Sequence, residues 1–206
     1  MSSTRATVRQ YGVAVRALLI LTLVLGLAYP LAVTAMGQLL MPDRAAGSLL
    51  RAEDGTVIGS SLIGQPFADT NGEPLREWFQ PRPSAAGDGH DAGASGGTNL
   101  GPENPDLVAA VEERRAAVAE FEGVDPADVP ADALTASGSG LDPHISPEYA
   151  LLQVPRVAEA RGRSEVEAQD LVRRSIERRD LGFLGEERVN VLELNLAVDG
   201  WGTRTS

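Results

Sequence analysis

The sequence predicts an α+β protein: one N-terminal transmembrane helix (residues 12–41, with 1–11 cytoplasmic) and a single extracytoplasmic domain (42–206) holding a small mixed sheet. Three observations carry that prediction. Ala17 to Met41 holds 25 residues without one charged side chain. Downstream, apolar positions recur at helical spacing in several stretches and at strand spacing in others far apart in the chain, an order that suits α+β rather than alternating βαβ units. Between them lies a Gly-rich loop, 84–104, with almost nothing to bury.

As a helix, the apolar run extends roughly 37 Å at about 1.5 Å per residue, enough for a hydrocarbon core of roughly 30 Å. Arg5, Arg9 and Arg16 precede it with no acid among them, so the positive-inside bias keeps the N-terminus cytoplasmic and exports residues 42–206. The same residues also suit a cleaved signal, with Ala17 to Tyr29 as its apolar region and Val33-Thr34-Ala35, after Pro30, as the cleavage site. Both readings export the remainder. If the segment spans, Pro30 frees a carbonyl that a neighbouring helix in the bilayer can satisfy.

Net charge is −11, and because three arginines and no acids precede residue 42, residues 42–206 carry −14. Such a surface repels nucleic acid and anionic headgroups and attracts cations. All 18 basic residues are arginine, and cysteine is absent. These absences exclude a P-loop lysine, a Schiff base, a Ser-Lys dyad, disulfides, thiolate metal sites and a cysteine nucleophile.

Thr56 to Ile63 reads as a short strand, Asp69 to Gly72 as a turn, and Pro74 to Phe79 as one or two helical turns ending before Pro81. Asn104-Pro105 opens a helix to about Glu122. Leu107, Val108, Val111, Val118 and Phe121 form its apolar stripe, and Glu112, Glu113, Arg114 and Arg115 face away. Leu134 to Ala136 reads as a short buried strand. Ser146-Pro147 opens a second helix that Pro155 breaks near Val154, and it restarts through Arg156 to Arg161. Ser164 with Glu167 is a capping box for a third helix to about Arg178, with Val166, Leu171, Val172 and Ile176 inward. Gly182 to Gly185 is a turn. Arg188 to Val198 reads as the clearest strand, with Leu192, Leu194, Leu196 and Val198 on one face.

Few constellations carry chemistry. Asp88-Gly89-His90-Asp91 offers one histidine among flexible carboxylates, which solvated loop explains. Ser95-Gly96-Gly97 lacks the strand and lysine of a phosphate loop. Ser137, Ser139, Asp142 and His144 lie within eight residues; turn chemistry explains the serines and glycines, and nucleophile-elbow spacing is absent. A membrane-anchored or secreted envelope hydrolase using Ser137 or Ser139 with His144 remains the alternative function.

The stretches AYPLAVTAMGQLLMPDRAAGSL, GSSLIGQPF, RPSA, ASGGTNLGPENP, LTASGSGLDPHISPEYALLQVPRVAEARG and GFLGEERVNVLELNLAVD, in this order, resemble the KdpC family of subunits of bacterial Kdp potassium-transporting P-type ATPases. The chain departs from typical members in lacking lysine and in the inserted DTNGEPLREWFQ. The resemblance implies an uncleaved single-pass anchor in the plasma membrane. It also implies a hetero-oligomer with a channel-like potassium-translocating subunit, a P-type ATPase subunit and a small single-helix subunit. The role implied is non-catalytic: assembly, and a catalytic chaperone effect that raises the ATP affinity of the hydrolysing subunit. ATP is then bound by or shared with that subunit, and no cofactor belongs to this chain alone. By resemblance Gln153 is the nucleotide candidate. Pro30, Arg82, Pro83, Ser84, Ser95, Gly96, Gly97, Asn99, Asp142, Pro155 and Arg156 are the partner-contact candidates. The exported domain is expected to stand over the outer potassium entrance.

Overall fold

The computed structural model describes residues 2–52 and 54–200, with side chains from residue 7 onward. The side chain of Arg5, one of the basic residues ahead of the apolar run, lies outside the described residues, as do Glu53 and residues 201–206 of the domain expected to be exported. The chain divides into two compact units, 1–57 and 58–206.

In the first unit, α1 (Ser2–Leu23) and α2 (Tyr29–Leu40) are joined by a π-helical turn, Val24–Ala28. Pro30 explains the turn. Proline has no N–H and its ring crowds the carbonyl four residues back, and a π turn opens the ladder there: Tyr29 donates to Val24 O, five residues back. Thr7 to Leu40 is long and apolar enough to cross a membrane, and none of it is buried. A one-turn helix, α3 (Pro42–Ala45), comes next, then β1 (Leu49–Arg51). The strand β2 (Val57–Ser60) contains the division between the units.

The second unit packs helices on a three-stranded sheet. Its elements are α4 (Pro105–Glu122), α5 (Ala131–Leu134), β3 (His144–Ile145), α6 (Pro147–Leu152), α7 (Val154–Arg161), α8 (Glu165–Ser175), β4 (Ile176–Glu177), β5 (Arg188–Asn190) and α9 (Val191–Asp199). The strand order is β3-β5-β4, and both pairings are antiparallel, with Ile145 and Ile176 each opposite Val189. The sheet expected to be mixed is therefore antiparallel. Val154 and Val157 from α7, Val172 from α8, Val189, and Leu194 and Val198 from α9 meet Phe79 in one core, all fully buried.

Local signals set the helix ends. Asn104, Ser146 and Ser164 cap α4, α6 and α8 as expected, the last through a complete capping box with Glu167. Gly123 ends α4 in the left-handed conformation, φ 71°. The helix expected to break near Val154 bends at Gln153.

Five further readings are corrected. Residues 191–199 are helix, not strand: Val191, Leu192, Leu194, Asn195 and Val198 are buried, and 191, 194, 195 and 198 form an i, i+3, i+4, i+7 stripe that the Leu/Val alternation hid. Residues 74–79 are turn and extended chain without helix. Leu134 ends the one-turn helix α5 instead of beginning a strand. The inward face of α8 is Ala168, Leu171 and Val172, and Val166 is exposed; α8 stops at Ser175 because Ile176 and Glu177 join β5. In α4, Arg114 turns inward and donates to Leu134 O at 3.0 Å, while Val108 is exposed.

Candidate functional site

The partner and nucleotide candidates of residues 42–206 fall mostly in two places. The first is a buried polar hub. The strap 76–80 has no helix or strand to take up its backbone groups, and buried groups left unpaired are costly. Side chains take their place. Asn195 accepts from Phe79 N and donates to Phe79 O, both at 2.9 Å. Gln153 does the same for the next residue, accepting from Gln80 N at 2.6 Å and donating to Gln80 O at 3.1 Å. Each amide imitates the paired bonds of a neighbouring strand.

Arg156 closes the hub. Its guanidinium donates to Trp78 O at 2.9 Å, to Arg76 O, to Gln153 Oε1 at 2.9 Å and to Glu122 Oε2 at 2.9 Å, and it lies 4.5 Å from the ring centroid of Phe121. The side chains of Arg156 and Glu122 are each 1% exposed. Burial raises the Glu122 carboxyl above its ordinary pKa, against the hydrogen bond and charge of Arg156, and its Oε1 has no partner. Arg161 extends the clamp, donating to Glu77 O at 2.9 Å and lying 4.0 Å over Trp78. Gln153 is thus 0% exposed, with both polar atoms of its amide engaged inside the domain.

The second place is a laced pair of loops. Ser84 donates to Gly140 O at 2.6 Å and accepts from His90 N at 2.8 Å and Ala86 N at 3.1 Å. Ser95 Oγ and Gly96 N both donate to Ser139 O at 2.9 Å, and Ser137 N donates to Pro83 O at 3.0 Å. A Cβ on Gly97 would come within 2.8 Å of Gly138 O, so only glycine allows this approach. The Gly-rich loop is therefore tied down at Ser84 and at Ser95-Gly96. Asn99, exposed, takes the left-handed conformation at φ 54°. Pro155 is exposed on α7, and Pro30 on the apolar span.

Beside these loops Arg82 pairs with Asp142 at 3.1 Å, Asp142 with His144 Nδ1 at 3.1 Å, and Arg188 with Glu177 at 2.9 Å. Arg82, Asp142, His144 and Arg188 line a cavity of about 510 Å³. Burial pushes the Asp142 pKa up, but hydrogen bonds from the His144 ring and backbone, the His144 charge and the Arg82 hydrogen bond outweigh it and hold it below the ordinary value. Burial lowers the His90 pKa.

Neither serine is hydrogen-bonded to His144. Ser137 is 3% exposed, and its hydroxyl receives Gly140 N at 3.1 Å and contacts Ser139 Oγ at 3.2 Å. These are turn-forming bonds, and the geometry offers no activated nucleophile. Among the described residues no group of three or more His, Asp and Glu side chains is placed to hold a metal ion. The sequence missed Asn195 and Glu122 as members of the hub; neither lies in a motif, and only their burial marks them.

A family described as "KdpC: K+-transporting ATPase, c chain" matches residues 11–200. The chain belongs to the KdpC family. A KdpC subunit of Kineococcus radiotolerans is 61% identical over 181 residues, 88% of each chain. That of Beijerinckia indica is 53% identical over 88% of this chain and 89% of its own length. That of Mycobacterium bovis is 52% identical over 93% of this chain and 98% of its own length. All three carry the name potassium-transporting ATPase KdpC subunit. The KdpC match runs through the apolar span and the hub alike, which places the chain as a subunit of a potassium-transporting ATPase.

Proposed function

We propose that this chain is a non-catalytic accessory subunit of an ATP-driven, high-affinity potassium importer, anchored by one helix with its N-terminus cytoplasmic and residues 42–206 outside. The observation that carries the reading is the family match over residues 11–200, span and domain together. With no lysine the chain cannot hold an Asp-Lys-Thr-Gly phosphorylation loop, so hydrolysis falls to a P-type subunit that also binds the ATP. The other partners are a channel-like potassium-translocating subunit and a small single-helix subunit, with Pro30 and its π turn packing among helices in the lipid.

Within that complex the chain supports assembly and raises the ATP affinity of the hydrolysing subunit. Gln153 enters as a positioning residue, since its buried amide holds the strap at Gln80. The −14 charge of residues 42–206 favours a place over the outer potassium entrance, where it concentrates cations.

Purified complexes with and without the chain test the reading. The expected result is that removing it abolishes potassium-stimulated hydrolysis or raises the ATP concentration for half-maximal rate, while the chain alone hydrolyses nothing. Unchanged kinetics without the chain, or hydrolysis by the chain alone, would defeat it. Neutralising clustered acids of the domain should weaken potassium uptake affinity; unchanged affinity removes cation focusing only. A membrane-extracted chain beginning at Met36 would refute the anchor.

A further inference from the structure

The hairpin joining β4 to β5 ends in three large apolar side chains that touch little of their own domain. Leu181 is 83% exposed, Phe183 70% and Leu184 49%. Elsewhere among the described residues of the second unit the large exposed apolar side chains, Leu62, Leu100, Val108 and Val166, stand singly in sequence. Three within four residues make a patch, and patches of this kind mark contact sites.

The hairpin is built to hold the tip out. Its stem is fixed by the Ile176–Val189 and Glu177–Arg188 pairs, with a salt bridge of 2.9 Å in the latter. Nearer the tip, Asp180 and Leu184 exchange both backbone hydrogen bonds at 2.9 Å. Leu181 has φ 53°, a left-handed conformation that glycine or asparagine adopts more easily. Here leucine combines an unfavourable backbone with a side chain left mostly exposed, two local costs that burial within the domain does little to offset.

Charge identifies the occupant. The arm entering the tip carries the exposed Arg178, Arg179 and Asp180, a net positive charge, with Arg174 and the Asp170-paired Arg173 exposed just before it at the end of α8; the arm leaving carries the exposed Glu186 and Glu187. The rim has two signs on two sides. A bilayer surface is a sheet of one sign and would meet like charge on one arm, whereas a protein cleft can match both.

We propose that Leu181, Phe183 and Leu184 insert into an apolar cleft on the extracytoplasmic side of another subunit of the ATPase, acidic where it faces Arg178 and Arg179 and basic where it faces Glu186 and Glu187. The inference rests on the reading that the chain works within that complex. It adds the surface that docks and the chemistry of the cleft that receives it.

The test places a photocrosslinking phenylalanine analogue at position 183 of the full chain in membranes containing the other subunits. Irradiation is expected to yield an adduct with another subunit. The double substitution Leu181→Asp, Phe183→Asp is expected to cut recovery of that subunit with the chain by about tenfold or more, with thermal unfolding of the chain unchanged and Val166→Asp, at an exposed site elsewhere, without effect. Adducts with lipid alone overturn the proposal in favour of the bilayer. No adduct from a chain that still co-isolates with its partners overturns the docking surface and leaves the complex standing. A chain that never co-isolates removes both.

Discussion

The Arg156–Glu122 pair and the Arg82–Asp142 pair have nearly the same geometry, at 2.9 and 3.1 Å, but different surroundings. The first is 1% exposed on both sides and the second 24% and 32%. A buried pair carries the full desolvation penalty of two charges and is tolerable only when further hydrogen bonds satisfy them. Arg156 has those bonds, to two strap carbonyls and to Gln153. The Arg82–Asp142 pair keeps part of its surface in water, so it loses less hydration and is worth less. The first pair therefore fixes where the strap lies, whereas the second ties Arg82 to Asp142 and Thr135 nearer the surface.

Substitutions should separate the two pairs by size. Arg156→Ala leaves the Glu122 carboxylate buried without its cation and takes the guanidinium bonds from the carbonyls of Arg76 and Trp78, and should destabilise the chain by about 3–5 kcal/mol in denaturant unfolding monitored by tryptophan fluorescence. Gln153→Leu removes both bonds to Gln80 and should cost about 2 kcal/mol, with a rise in the ATP requirement of the complex. An ATP effect at unchanged stability would instead make Gln153 a direct contact. Arg82→Ala, at the partly exposed pair, should cost less, about 1 kcal/mol; a loss matching that of Arg156→Ala would break the comparison.

Acid should move the two pairs in opposite directions. The Glu122 pKa is raised in the folded chain, so between the ordinary and the folded value the folded form holds more proton than the unfolded form. Its contribution is therefore greatest below the ordinary value of 4.5 and falls as pH rises through the folded value. The Asp142 pKa is depressed, so its contribution is full above 3.8 and is lost as pH falls through the folded value. Stability measured against pH should accordingly lose its decline above 4.5 in Glu122→Gln, and part of its acid loss in Asp142→Asn. Identical profiles in the two variants would contradict the assignment.

How much could be read from the chain depends on the range of the interactions. The caps at Asn104, Ser146 and Ser164 are satisfied within three residues, and all three were legible. The strap was not, because Phe79 is paired by a residue 116 positions away and Gln80 by one 73 away. The same pairing hid α9. Asn195 completes its helical stripe but reads as a polar interruption, leaving Leu192, Leu194, Leu196 and Val198 to suggest a strand. Among the site candidates, the sequence supplied Arg82, Ser84, Asp142, Gln153 and Arg156 as members of matched stretches. It gave no sign that Arg82 would meet Asp142, 60 positions on.

By itself the sequence determined the apolar span, the acidity of residues 42–206, the helix starts and the absence of lysine and cysteine chemistry, because each depends on composition or on neighbours a turn away. Only the tertiary structure decided that residues 191–199 coil rather than extend, that a glutamine, an asparagine and an ion pair lie in the core, and that a leucine-rich tip stands outside it. Burial and the pairing of backbone groups are settled between distant segments, and a segment that must satisfy a distant backbone adopts the conformation that reaches it.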